Sequence, residues 1–139
     1  MRLWRSPRDE REVTSVAATV LDRVGLAERT TAVAGTLAHG EKRKLEIALL
    51  LAGQPKVLLL DEPMAGVSAE DVPALVEVIR NLTTVEGQSV LMVEHHMDVV
   101  LDLADRVAVM HHGALLICDT PETVMANRTV QEAYLGEEL

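Results

Sequence analysis

Apolar residues recur at helical spacing at Val13, Val16, Ala17, Val20, Leu21 and Val24, and Gly25 ends the run, so residues 12–24 read as an amphipathic helix. A second helix, about 40–52, is charged at its start (Lys42-Arg43-Lys44), apolar at its end, and stopped by Gly53. Gln54-Pro55 then turns into Val57-Leu58-Leu59-Leu60, four apolar residues that run straight into Asp61 and Glu62. That run is short, β-prone and apolar on both sides, which predicts a strand buried in a parallel sheet. Ser68–Leu82 reads as a helix with Ser68 as N-cap, Glu70 and Asp71 in its first turn and Arg80 near its end. Pro73 is tolerated in a first turn and allows a start one residue or more later. Glu86-Gly87-Gln88 turns into the strand Ser89–Val93, and Met97–Leu103 gives a short helix. Arg106–Met110 and Ala114–Asp119 read as a hairpin about His111-His112-Gly113, and Thr120-Pro121-Glu122 opens a final helix.

Helices alternating with strands make the fold class α/β, a mainly parallel sheet flanked by helices with a carboxyl-terminal β-hairpin and helix. Ligands of parallel sheets collect at the carboxyl ends of the strands, which is where Asp61 and Glu62 emerge. In a nucleotide hydrolase the first acid holds Mg²⁺, usually through water, and the second polarises the attacking water. A helix beginning near Gly40, in Leu37-Ala38-His39-Gly40-Glu41, aims free N–H groups and the positive end of its dipole at a nearby anion. Past the second strand, Glu94-His95-His96 places a histidine where it can touch a phosphate or a catalytic water.

In this order, the segments resemble the ATP-binding-cassette ATPases from about Glu12 to Leu139. Leu37–Glu41 is similar to the family's Leu-Ser-Gly-Gly-Gln signature, Val57–Glu62 to its Walker B strand and catalytic glutamate, and His95 to its switch histidine. The resemblance implies a head-to-tail sandwich of two ATPase subunits around ATP, docked on transmembrane permease subunits. Asp61 would then bind Mg²⁺, Glu62 and His95 would act on the γ-phosphate, and Leu37, Ala38, His39, Gly40 and Glu41 would reach the ATP of the partner subunit.

The departures from the pattern narrow the resemblance. Ala38 replaces the signature serine, His39 replaces its first glycine, and Ser68 stands where many members carry the D-loop aspartate. With the terminal Ala133-Tyr134-Leu135-Gly136, the pattern is most like the subfamily of branched-chain amino-acid and urea importers. None of the eight glycines precedes Lys-Ser or Lys-Thr, so no Gly-x-x-x-x-Gly-Lys-Ser/Thr loop cradles the β- and γ-phosphates. The chain therefore reads as the carboxyl-terminal portion of a cassette lacking the Walker A strand and loop. A disordered terminus is expected at 1–11. The end of the helical subdomain and the signature helix occupy 12–53. Walker B, D-loop, switch region and carboxyl-terminal elements fill 54–139. The expected activity is transport-coupled ATP hydrolysis, absent from this chain alone; the alternatives are an inactive half-cassette acting as an interaction module and a truncated gene product.

Composition closes off other classes. Trp4 and Tyr134 are the only aromatics and the net charge is −9, which leaves neither a stacking platform nor a phosphate-backbone surface for nucleic acid. Cys118 is the sole cysteine, which fits a reducing compartment, and no apolar run reaches the roughly 18 residues that span a bilayer. The expectation is a cytoplasmic protein, held peripherally at the inner face of the plasma membrane through permease subunits. The adjacent pairs His95-His96 and His111-His112, with His39, match no zinc spacing and are not expected to bind metal.

Overall fold

The computed structural model describes the backbone of residues 7–135. Residues 1–6 of the expected disordered terminus, and Gly136 of the terminal pattern, lie outside the described residues. Ten elements follow in order: α1 (Pro7–Arg23), α2 (His39–Leu51), β1 (Val57–Asp61), α3 (Val72–Thr84), β2 (Ser89–Val93), α4 (Met97–Leu103), β3 (Val107–His111), β4 (Ala114–Asp119), α5 (Pro121–Ala126) and α6 (Arg128–Leu135). Two single 3₁₀ turns, Ala27–Arg29 and Ala34–Thr36, lead into α2.

The chain forms two compact units, one ending at Val93 and the other beginning at Glu94. α2 packs on both α1 and α3 and so joins the segments on either side of Gly53. In the first unit the described part of α1 runs from Pro7, so residues 7–11, expected as part of a disordered terminus, are helical. The good helix formers Glu10, Arg11 and Glu12 favour the helix there. Gly25, at φ 72°, ends it in the left-handed conformation. Arg23 at its end pairs with Glu86, tying α1 to the turn before β2.

β1 and β2 pair in parallel, with Val57 opposite Ser89 and Asp61 opposite Val93. Leu58 and Leu60 are buried while Val57, Leu59, Leu91 and Val93 are exposed, so the strands are buried on one face and not on both. Alternation explains the pattern: the odd-numbered positions of both strands share one face of the sheet, and among the described residues nothing covers it. The core of this unit lies on the other side, with Leu51 of α2 and Leu75 and Leu82 of α3 almost wholly enclosed.

α3 starts at Val72 with Asp71 as N-cap and Pro73 in its first turn. Ser68, expected as the cap, instead donates its hydroxyl to Asp71 Oδ2 at 2.8 Å, because the proline moves the start past it. At the end of α2 the left-handed residue is Gln54 (φ 50°), one beyond Gly53.

In the second unit β3 and β4 form an antiparallel hairpin with a bulge at Val109/Met110. Its turn is His112-Gly113, both at positive φ (47° and 79°), the two-residue geometry whose twist matches the strands. Val109, Val124 and Val130 form the core of this unit, with Val107 and Ile117 packed against it. The expected single final helix is two. Asn127 adopts an extended conformation and its Oδ1 accepts from the N–H groups of Thr129 (2.9 Å) and Val130 (3.2 Å), capping α6 and breaking the run.

The uncovered sheet face sets an expectation about association. Four exposed aliphatic side chains on adjacent strands are a template for burial against another chain. Sedimentation of the 139-residue chain is expected to show oligomers, and Leu59→Glu with Leu91→Glu to shift it toward monomer with an unchanged far-ultraviolet circular dichroism spectrum.

Candidate functional site

The first unit holds Leu37–Glu41, Asp61 and Glu62. Leu37 closes the second 3₁₀ turn and its side chain is buried, so it anchors the segment. Ala38 and His39 are exposed at the start of α2, and Gly40 is buried in its first turn. A methyl group at Gly40 would lie 2.9 Å from Asp71 Cβ, so a larger residue forces one of the two to shift. Asp71 is held in turn by Ser68. Arg43 reaches from α2 to the carbonyl of Ala65 at 3.5 Å while pairing with Glu46 at 2.7 Å. The start of α2 is thus seated on the segment that follows Glu62, at two points.

Ala38 has no side-chain oxygen, so only the return half of a capping box forms: its N–H donates to Glu41 Oε2 at 3.0 Å. Glu41 Oε1 accepts from Arg29 Nε at 2.8 Å. The Ala38 hydrogen bond first, and then the Arg29 guanidinium, hold the Glu41 carboxyl below its usual range.

Asp61 ends β1 exposed, and Glu62 follows in the left-handed region at φ 43°. Its N–H donates to Val93 O at 2.8 Å, extending the ladder one residue beyond the strand, and its carbonyl accepts from Ala65 N at 3.0 Å. A non-glycine residue at positive φ costs about 1–3 kcal/mol, and such strain concentrates at functional sites. Pro63 and Met64 are buried behind it, and Gly66 (φ 74°) reverses the chain again. Asp61 is an oxygen donor at the strand end, the type that Mg²⁺ accepts when phosphates and water complete its octahedron.

The second unit holds His95. β2 stops at Val93, and the buried Glu94 Oε1 accepts from His95 N (3.0 Å), His96 N (3.2 Å) and His96 Nδ1 (2.6 Å) just before α4. Glu94 is a half-buried residue whose enclosed side chain braces the turn ahead of α4. His95 is exposed, stacked at 4.3 Å on His96, with Nδ1 3.6 Å from Glu94. Ligand atoms of Glu94, His95 and His96 lie within 4.8 Å of one another, near enough to share a cation, although sequence spacing argues against a histidine metal site. The rings of His111 and His112 meet at the hairpin turn, 4.0 Å apart and tilted by 54°.

Sequence reasoning missed Arg29, Arg43 and Asp71 as parts of this site. Arg29 lies twelve residues from Glu41 with no periodicity to link them, and Lys42-Arg43-Lys44 reads as a solvated run. A glycine at Gly40 was the signal for a close neighbour, but not for which one.

Residues 3–65 match the model of the ABC transporter family, and residues 118–139 that of the branched-chain amino acid ATP-binding cassette transporter. The chain is 40% identical over 138 residues to the high-affinity branched-chain amino acid transport ATP-binding protein BraF of Pseudomonas aeruginosa, covering 97% of this chain and 54% of that protein. It is 40% identical over 130 residues to LivG of Escherichia coli, with 94% and 51% covered. The chain thus spans about half the length of the curated relatives it matches. Among solved structures, the ADP conformation of an ATP-binding cassette of an ABC transporter matches with a TM-score of 0.82 at 26% identity, covering 97% of this chain and 54% of that one.

Two outcomes follow from the seat of α2. Gly40→Ala is expected to lower stability by about 1 kcal/mol, overpacking against Asp71 outweighing the helix-propensity gain, and Asp71→Gly is expected to recover part of it in a thermal melt of the double variant. Because the folded-state carboxyl of Glu41 titrates low, its stabilisation is present above the unfolded value of about 4.3 and lost as pH falls through the lower folded value. Acid unfolding followed by circular dichroism is expected to lose that component in Glu41→Gln.

Proposed function

The chain belongs to the ATP-binding-cassette family of ABC transporters, and from that premise we propose that it works as part of the ATP-binding subunit of a branched-chain amino-acid importer. The observation that carries this reading is β1: a strand in a parallel pair delivers Asp61 and then a strained Glu62 at its carboxyl end, in the same unit as the start of α2. On this reading Asp61 holds Mg²⁺ through water, Glu62 orients the attacking water, and His95 meets the γ-phosphate. The first turn of α2 offers its N–H groups to ATP held by a second ATPase subunit. Bound Mg²⁺ neutralises charge on the phosphates. Two such subunits close head to tail on permease subunits at the inner face of the membrane, and closure biases the transporter between states. No helix among the described residues is long and apolar enough to cross a membrane; on this reading, contact with the bilayer would run through those permease subunits.

Phosphoryl transfer depends on positioning and charge stabilisation, and this sequence carries no Gly-rich Lys-Ser/Thr loop to cradle the phosphates. The 139-residue chain by itself is therefore expected to release no phosphate from ATP above background. Turnover that vanishes in Glu62→Gln would overturn the reading by revealing another phosphate cradle. With an amino-terminal cassette half added in trans, nucleotide binding is expected to return, and His95→Ala to slow hydrolysis more than it weakens binding, because that contact matters most in the transition state. Equal losses of rate and affinity would remove His95 from the role.

A further inference from the structure

Glu41 sets a problem for an anion-binding helix start. A carboxylate in a first turn suits the helix dipole, yet it also repels a phosphate brought to the same end. Here Glu41 is the residue whose Oε2 accepts the Ala38 N–H, and whose Oε1 takes the Arg29 Nε at 2.8 Å. Arg29 is itself part of the 3₁₀ turn Ala27–Arg29, whose backbone closes on Leu26 O at 2.9 Å. Leu26 is buried, so the guanidinium is presented from an anchored turn and not from a loose loop.

We propose that Arg29 is a positioning residue for the start of α2: it offsets the charge of Glu41 and, through that carboxylate, holds the Ala38 backbone where a nucleotide phosphate is to be met. This rests on the reading of that helix start as the face offered to a partner subunit's ATP. Glu41 stands where the family signature carries a neutral glutamine, so the pair restores near-neutrality while keeping the acceptor that Ala38 N–H needs. Lys42, Arg43 and Lys44 follow on the same helix; Arg43 is engaged by Glu46 and Ala65, Lys44 acts on Glu41 through its charge, and Arg29 is the cation bonded to it. The low-lying Glu41 titration is consistent with that hold.

The test uses the full 139-residue chain with the intact Pseudomonas aeruginosa relative loaded with an ATP analogue that resists hydrolysis. Association is read by fluorescence anisotropy with the analogue against ADP. Arg29→Ala is expected to weaken analogue-dependent association about threefold, the modest scale of an exposed ion pair. Glu41→Gln in the Arg29→Ala background is expected to restore it, since the amide keeps an acceptor for Ala38 and removes the charge. A double variant as weak as Arg29→Ala would overturn charge compensation and leave Arg29 a structural brace.

A second readout needs no nucleotide. In the chain alone, Arg29→Ala is expected to raise the Glu41 titration followed by carboxyl NMR and to speed exchange of the Ala38 amide, with Arg29→Lys falling between. Unchanged titration and exchange would overturn the proposal whatever the association result. If the unsubstituted chain shows no analogue-dependent association while titration and exchange shift as expected, the functional reading fails and the Arg29–Glu41–Ala38 link stands.

Discussion

Two parallel strands cannot be joined by a tight turn; the chain must cross over the sheet and begin again at the same end. Everything placed at the candidate site in the first unit follows from that constraint. α3 is the crossover between β1 and β2, and it brings Asp61 opposite Val93 at one edge of the sheet. The same crossover obliges the chain to leave β1 through a sharp turn, and the positive φ of Glu62 followed by that of Gly66 is how it does so. Strain at Glu62 is offset by its N–H bond to Val93 and by the burial of Pro63 and Met64 behind it. On the proposed reading, the residue that orients the attacking water is also one that the topology holds at positive φ.

The start of α2 depends on that turn as well. Gly40 can approach Asp71 only because the turn delivers Asp71, already bonded to Ser68, at the foot of α3. Arg43 reads the same turn at Ala65 O. On the proposed reading this helix start faces an anion and keeps N–H groups unspent for it, so it needs stabilisation from elsewhere. Glu41 satisfies one donor, Arg29 steadies Glu41, and the glycine contact fixes the distance to α3. These are short-range contacts of different kinds, and each leaves the outward side of the first turn available.

The second unit solves a smaller problem with local means. Glu94, placed immediately after β2, folds its carboxylate back onto two backbone N–H groups and the ring of His96. That buried brace sets the turn on which His95 stays exposed. Among the described residues, the hairpin and the two short helices after it rest on Val109, Val124 and Val130, with Val107 and Ile117 packed against them.

Sequence by itself determined the kinds and order of the elements and the motifs at their ends. Apolar spacing in 12–24, the run from Val57 into Asp61, and Pro121 opening a helix are properties of neighbouring residues, and neighbours interact whatever the rest of the chain does. Only the tertiary structure decided what lies between distant segments. Leu59 and Leu58 read alike in sequence, yet one is exposed and the other buried, because the pleat sends them to opposite faces and only one face is covered. Ser68 read as a cap and became a brace for Asp71, since Pro73 shifts where the helix can begin. Arg29 and Glu41, and Gly40 and Asp71, meet because turns and crossovers fold the chain back on itself; their partners are set by geometry that no local pattern encodes.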